Sequence, residues 1–310
     1  MSGCSDRSAK PLRVGVNPWP GCECVTLADD LGFYGKLDLP VEIVRFAALG
    51  DSWRAFQLQQ VDAVVGTGVE ILTAHASSGR RPIAIRVLDA SEGADVIFGS
   101  SAVSSLKDLR GKRVALEPGT LNGYLLSAAL TRAGLTWGDI KTIPMAQVDV
   151  ACALQSGTVD AVVTYPPFSA DCSRVEGAKP LFSSRSIPGE IVDILAVDAP
   201  LLETDRPRLE RLLAGITQAQ EYIATHREDA YRRMAVASRM SLEDFRCGYE
   251  EGLQIISASE QEKYLGDSGS LSAILARLHD SLRQQRLLEG NLPEENLFAF
   301  LQDARVASLR

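Results

Sequence analysis

"VDAVV" occurs twice in this chain, at 61–65 within AFQLQQVDAVVGTG and at 159–163 within ALQSGTVDAVVTYP. The likeness runs backward without a gap, Ala55 and Gln57 falling on Ala153 and Gln155. Each copy reads as the end of a helix, a one-turn connection, an acid, and three small residues suited to a crowded strand. Asp62 and Asp160 stand where a short carboxylate closes a turn. The repeat predicts two α/β units of like topology facing each other; the plainer alternative is that any parallel sheet favours such a phrase.

Outward from these two phrases, strands and helices alternate. Apolar, β-branched runs at 13–16, 41–46, 62–67 and 82–89 alternate with helical patterns at 22–32, 51–60 and 68–78. Gly32 closes the first helix, and Asp51 or Ser52 caps the second. A second set follows: strands at 113–118, 141–146 and 160–165, helices at 119–134, 148–157 and 168–177, with 94–101 between the sets. Continuous β-branched runs between helices predict parallel strands buried on both faces. Beyond the apolar stretch 190–197 the pattern changes, and 205–310 reads as helices, the first over 206–228.

Composition narrows the function classes. The chain has 310 residues, 45% hydrophobic and 23% charged, with net charge −8. An acidic surface disfavours nucleic acid or an anionic membrane as partner. No apolar run approaches the roughly 18 residues of a membrane-spanning helix. Six cysteines follow no zinc spacing: Cys22 and Cys24 are too close together, and Cys152, Cys172 and Cys247 read as small buried residues of helices. A Cys152–Cys172 disulfide is open in an oxidising compartment. His75, His226 and His279 are scattered and read as surface or helix-end residues. No metal, no cofactor and no catalytic triad is indicated.

The loops that follow the strands carry the interest, because ligands of open parallel sheets bind beyond the strands' carboxyl ends. These loops are NPWPGCE (17–23), GTGVE (66–70), EPGTLNG (117–123) and TYPPFS (164–169). Glycine or threonine before a helix leaves backbone N–H groups free for a ligand. The candidate ligand contacts are Trp19, Gly21 and Cys22, then Thr67, Gly68 and Glu70, then Gly119, Thr120 and Asn122, with Tyr165 as a wall. Asp89 and Asp193 each interrupt an apolar run, where a carboxylate needs a partner. That partner is a backbone turn, a basic side chain, or a ligand amine or hydroxyl. The loops contain no Lys or Arg. Arg13, Arg45, Arg86 and Arg113 stand earlier on strands, whereas Glu23, Glu70, Asp89, Glu117 and Asp193 share the neighbourhood. A plain dianion is a poor match for such a site. A zwitterion such as an aminosulfonate or aminophosphonate, or a heterocycle with N–H donors, fits better.

Several stretches carry a family resemblance. RVGVNPWPGCECVTLADDLGFYGKLDLPVEIVRF (13–46) resembles the opening of solute-binding proteins of ABC importers for nitrate, sulfonates, taurine and thiamine-precursor pyrimidines. In that family a strand leads to a Trp-x-Gly loop and a helix ending in Leu-Gly-Phe/Tyr. GDSWRAFQLQQVDAVVGTGVEIL (50–72), LKDLRGKRVALEPGTLNGYLLSAALTRAGL (106–135) and LQSGTVDAVVTYPPFSAD (154–171) are similar to later segments, in the family's order. The resemblance implies an α/β, two-lobed periplasmic-binding-protein fold of type II, each lobe a mostly parallel sheet flanked by helices, with a helical C-terminal region. Lobe I would be 11–97 with 198–310, lobe II 98–197, and the crossings would lie near 95–102 and 190–198. It further implies a monomeric, non-enzymatic periplasmic protein that closes on a small solute and delivers it to an inner-membrane permease. Cys22, Glu23 and Cys24 depart from the family, where an aromatic is common.

The first ten residues, MSGCSDRSAK, place Ser2-Gly3 before Cys4 and resemble the end of a bacterial lipoprotein signal. The expectation is a lipidated Cys4 followed by a polar tail, an upstream apolar segment having been removed. Two other readings of the whole chain stand beside the importer component. One is a sensor domain of a membrane kinase. The other is an enzyme like the eukaryotic pyrimidine synthases that consume their own histidine with bound pyridoxal phosphate, His75 and Cys22/Cys24 being cast in that role.

Overall fold

The computed structural model describes residues 10–77, 79–293 and 296–301. Cys4 lies outside them. The chain first lays down β1 (Leu12–Val16), β2 (Val41–Arg45), β3 (Ala63–Thr67) and β4 (Pro82–Ser91). It then forms β5 (Val96–Gly99), β6 (Arg113–Leu116), β7 (Lys141–Pro144), β8 (Ala161–Thr164) and β9 (Lys179–Ser183), and ends with β10 (Val192–Asp198) and β11 (Leu253–Ile255). These make a six-stranded sheet of order β11-β4-β10-β3-β1-β2 and a five-stranded sheet of order β7-β6-β8-β5-β9.

The repeated phrase is the same corner built twice. β1 lies parallel to β3 with Val14 opposite Ala63 and Gly15 opposite Val64. β6 lies parallel to β8 with Val114 opposite Ala161 and Ala115 opposite Val162. In the first unit Asp62 accepts from the Arg13 backbone N (2.9 Å), Nε (3.1 Å) and Nη2 (2.8 Å), and Arg13 Nη2 also donates to the Gln59 carbonyl at 3.1 Å. In the second, Asp160 accepts from Arg113 N (2.8 Å), Nε (3.0 Å) and Nη2 (3.0 Å), and Arg113 Nη2 reaches the Gly157 carbonyl at 2.8 Å. The acid therefore does more than close a turn: it locks the start of one strand to the start of its neighbour. Two of the four strand arginines noted above are spent in these clasps.

The sheets are mostly parallel in strand direction, with antiparallel members set among them. β10 runs antiparallel between β3 and β4, β5 runs antiparallel between β8 and β9, and β11 adds antiparallel to β4. The antiparallel strands are those on which the chain enters or returns. β10 belongs by its hydrogen bonds to the six-stranded sheet, so a division at residue 197 would cut through a strand of the first unit. The chain crosses between the sheets at 92–95 and 184–191, and the two crossings lie side by side. Ser184 N donates to the Asp95 carbonyl (2.9 Å), Ser91 N to the Ile191 carbonyl (3.0 Å), and Gly93 N to Ser184 Oγ (2.6 Å).

Helices cover the sheets as the apolar spacing predicts, with two corrections. The helix Leu49–Gln57 starts earlier than expected and has no side-chain cap; Ser52 Oγ donates back to the Leu49 carbonyl, and Asp51 is exposed. The C-terminal region is helical as far as Gln284 apart from β11; beyond it the described residues form no helix and make only a bridge between Phe298 and Ala84. Its long helix Arg206–Thr225 buries Leu209, Leu212, Leu213 and Ile216. No helix among the described residues is long and apolar enough to cross a membrane.

The clasps yield a stability test. Arg13 and Asp62 are partly exposed, so their ion pair contributes little. The Arg13 N–H, however, loses its acceptor when the carboxylate goes. Asp62→Ala is expected to cost about 1–2 kcal/mol in urea unfolding, and Asp160→Ala is expected to be destabilising in the same way. A neutral result for both would show the clasps to be incidental.

Candidate functional site

The row of residues across β3, β10 and β4 organises the site. Asp193 stands opposite Thr67 on one side and opposite Asp89 on the other. Residues directly paired across a sheet point to the same face, so two carboxyls are held beside each other near the edge of the second unit. Both are closed off from water: Asp89 is 0% and Asp193 6% exposed. Trp19 Nε1 donates to both Asp89 oxygens, at 3.2 and 3.3 Å. Gly21 allows this approach, because a Cβ there would stand 2.0 Å from Asp89 Oδ2. The Pro-Gly of loop 17–23 thus makes room for a carboxylate of the protein itself.

Asp95, on the first crossing, completes the group and was missed by the sequence reading. It is 1% exposed, and neither of its carboxyl oxygens has a hydrogen-bond partner. Asp193 Oδ2 and Thr164 Oγ1 are also buried without a partner. The sequence signal for Asp95 is weak: it precedes the apolar run Val96–Gly99, whereas Asp89 and Asp193 stand within theirs.

These acids hold protons more tightly than exposed ones. Burial pushes the Asp89 carboxyl up to about 7, against the pull of the Asp193 and Trp19 hydrogen bonds. Burial likewise raises Asp95 to about 7, although the Ser91 hydroxyl lies close and pulls the other way. Asp193 is raised well above the usual carboxylate range, by burial and then by the charges of Asp89 and Asp95. Cys22 feels the same field. Its buried thiol is pushed well up by burial, Asp193 and Asp89.

Bonds from unit to unit seal the surroundings. Glu70, at the start of the helix Gly68–Ser77, accepts from Thr67 N (3.0 Å) and Thr67 Oγ1 (2.6 Å) through one oxygen. Through the other it accepts from Leu121 N at 2.8 Å, at the head of the second unit's helix Leu121–Ala133. Glu117 answers from the second unit, accepting from Gly50 N (2.8 Å) and from Tyr165 Oη (3.2 Å). Leu49 N donates to Tyr165 Oη at 3.3 Å, and the Tyr165 ring meets Trp19 edge-on with centroids 6.2 Å apart. Trp19 and Tyr165 are therefore interior walls rather than loop tips.

Other candidates serve the frame. Gly68 packs under Leu275 and Leu278 of the C-terminal helix Ser270–Gln284, where a Cβ would come within 2.8 and 2.9 Å, and so faces away from the acids. Gly119 takes a left-handed turn (φ +74°) and lines a cavity of about 230 Å³ with Pro118, Trp137 and Leu287. Thr120 caps its helix by accepting from Asn122 N at 3.3 Å. Asn122 Oδ1 is spent on Glu117 N (3.1 Å) and Gln147 Nε2 (2.6 Å). Glu23 turns away to Thr26 and Ser238, and Arg86 reaches Thr217 and Gln220 beneath the sheet. Cys22, Cys24, Cys152, Cys172 and Cys247 are free thiols, so the Cys152–Cys172 bridge is not formed; Cys152 and Cys247 are exposed rather than buried. His75 is tied to the Pro82 carbonyl and His226 stacks on Tyr222.

An outer cavity of about 430 Å³ opens beside the walls, between Asn17, Pro18 and Phe46 of the first unit and Val148, Pro167 and Phe168 of the second. Arg45, Arg239 and Asp171 stand at its rim. Arg45 is drawn to Glu23 (3.5 Å) and to the Ala237 carbonyl (3.2 Å).

Comparison with known proteins agrees with this architecture. The model of the NMT1-like family matches residues 5–240. A Brucella abortus (strain 2308) chain named "Putative binding protein" is 23% identical over 279 residues, covering 87% of this chain and 84% of its own. The alkanesulfonate-binding protein SsuA from Xanthomonas axonopodis pv. citri, solved with MOPS, superposes with TM-score 0.77 at 18% identity over 94% of this chain and 98% of its own. The periplasmic aliphatic sulphonate binding protein SsuA of Escherichia coli gives 0.71 at 19% identity, over 92% and 96%. The fold also carries an enzyme: the desulfurization enzyme DSZB superposes with TM-score 0.66 at 15% identity, over 96% and 99%. The likeness establishes the two-lobed periplasmic-binding-protein fold.

The raised acids set a pH dependence. A carboxyl near 4 when unfolded and near 7 when folded keeps its proton longer in the folded state. Its stabilising contribution is complete below about pH 4 and is lost as pH rises through about 7, by up to about 1.4 kcal/mol per pH unit for each retained proton. The melting temperature of the protein alone should therefore fall from pH 5 to pH 8 more steeply than that of Asp193→Asn. Parallel curves would mean that the pair is ordinarily ionised.

Proposed function

The chain belongs to the NMT1-like family, and from that premise we propose that it is the solute-binding component of an ABC importer. It captures a small organic solute outside the cytoplasm by closing its lobes and presents it to an inner-membrane permease, with a lipid on Cys4 as its tether. The lobes are 11–91 with 192–301 and 96–183, joined by the two crossings. The observation that carries this reading is where the buried polar groups lie. Asp89 and Asp193 from the first sheet and Asp95 from a crossing lie together beside the joint between the lobes. A stable core does not concentrate unpartnered acids at a movable joint; a site that opens for a ligand does.

Polar contacts that join the lobes, Glu70 to Leu121, Glu117 to Gly50, Tyr165 to Leu49 and Arg174 to Asp244, stand beside the apolar contact of Trp19 with Tyr165. The polar contacts release into water at small cost, so the open form stays accessible and a bridging ligand decides between the two. The solute offers N–H groups to Asp89 and Asp193, in the class of amine-bearing or N–H-bearing molecules, and its flat or apolar part lies between Trp19 and Tyr165. Binding rather than covalent chemistry is favoured by the state of the Cys22 thiol. Burial and two acids keep Cys22 protonated, and a protonated thiol is a poor nucleophile.

Two measurements test the reading together. Small-angle scattering should show contraction on saturation with a solute that stabilises the protein. The same solute should alter the tryptophan emission of the parent, and a large part of that change should vanish in Trp19→Phe. An unchanged radius together with an unchanged spectrum under saturation contradicts lobe closure.

A further inference from the structure

We propose that the solute is a net organic cation, its protonated nitrogen lodged among Asp89, Asp193 and Asp95, and that Glu70 is a built-in anion that occupies the place a sulfonate or carboxylate would take. The inference rests on the solute-binding reading above and sharpens its chemistry.

Two independent features converge. The first is an accounting of anion sites. A thirteen-residue helix, Leu121–Ala133, aims its N-terminus at the joint between the lobes, and a helix start there favours a small anion. That role is filled from within. Glu70 crosses from the other lobe, takes the Leu121 N–H at 2.8 Å, and uses its second oxygen on Thr67. Thr120 takes the Asn122 N–H, and the Gly123 N–H goes to the Thr120 carbonyl. The first N–H groups of this helix are thus already engaged, and the occupant brings its own negative charge.

The second is the unmet demand at the acids. Asp95, 1% exposed, has two carboxyl oxygens without a partner, and Asp193, 6% exposed, has one. The charges that act most strongly on this trio are those of other acids, Asp95 on Asp89, and Asp89, Asp95 and Glu70 on Asp193. A sulfonate brought here would meet acids on several sides. A protonated amine or amidine supplies both the donors and the charge that the trio lacks. No group of three His, Cys, Asp or Glu among the described residues is placed to hold a metal ion, so the cation is one that reaches its acids by N–H bonds from a larger frame. Trp19 and Tyr165 give that cation aromatic walls.

The test compares charge classes on the intact protein at pH 8. Calorimetry and thermal shift are run with acetamidine, benzamidine, 1,4-diaminobutane and propylamine as cations, taurine as zwitterion, and ethanesulfonate and nitrate as anions. At least one cation should bind, and Asp193→Asn and Asp89→Asn should each weaken it tenfold or more. Taurine and ethanesulfonate should leave the parent unshifted. Glu70→Ala, by vacating the helix start, should gain ethanesulfonate binding; should that variant fail to fold, Glu70→Gln, which keeps the size and removes the charge, carries the same comparison. Binding of taurine or ethanesulfonate to the parent overturns the inference and leaves the solute-binding reading standing. Failure of every cation to bind overturns it as well. Absence of binding and of contraction for all three classes overturns both.

Discussion

Two carboxyls side by side on neighbouring strands, closed off from water, are the constraint on which the rest of this protein turns. Asp89 and Asp193 are paired across β4 and β10, with Asp95 close by. Like charges placed so repel, and burying even one bare carboxylate is costly. The protein moderates that cost by retaining protons on the acids and by giving Asp89 the Trp19 N–H. It supplies no cation from the loops around them. Such an arrangement persists where an incoming group meets the demand.

The fold places that demand at a joint. Each lobe is built on the same parallel corner, fixed by an arginine that clasps the acid at the head of the next strand. Rigid corners carry the walls: Trp19 follows β1 and Tyr165 follows β8. The crossings lie together, tied through Ser91, Gly93 and Ser184, and Asp95 rides on one of them. In the closure proposed above, a charge change at the acids would be felt at the segment about which the lobes turn. Binding and closure share the same few residues.

Much of this was legible in the sequence, and for physical reasons. Alternating β-branched runs and amphipathic helices dictate two α/β units, and the repeated phrase marks equivalent corners. Acids inside apolar runs single out Asp89 and Asp193 as carboxyls that need a partner, and the sequence alone leaves open which partner it is. The same logic stops short at Asp95, which precedes its run and looks like an ordinary turn residue. Glycines before helices proved ambiguous: Gly21 admits a carboxylate, Gly68 admits two leucines, and Gly119 makes a left-handed turn. Local sequence does not distinguish these, because the neighbour that needs the space is far away in the chain. Nor does it show that Glu70 reaches across to Leu121, a contact that exists only once the two lobes meet.

Where the protons sit on Asp89 and Asp193 can be observed directly. Carboxyl-carbon NMR of the protein without solute, assigned through Asp89→Asn and Asp193→Asn, follows each acid across pH 3 to 9. At least one of the pair is expected to stay protonated at pH 6, and both resonances are expected to respond to a shared titration, since burial and the neighbouring charge hold the proton in place. Two independent titrations near pH 4, the value of an exposed aspartate, would contradict this expectation.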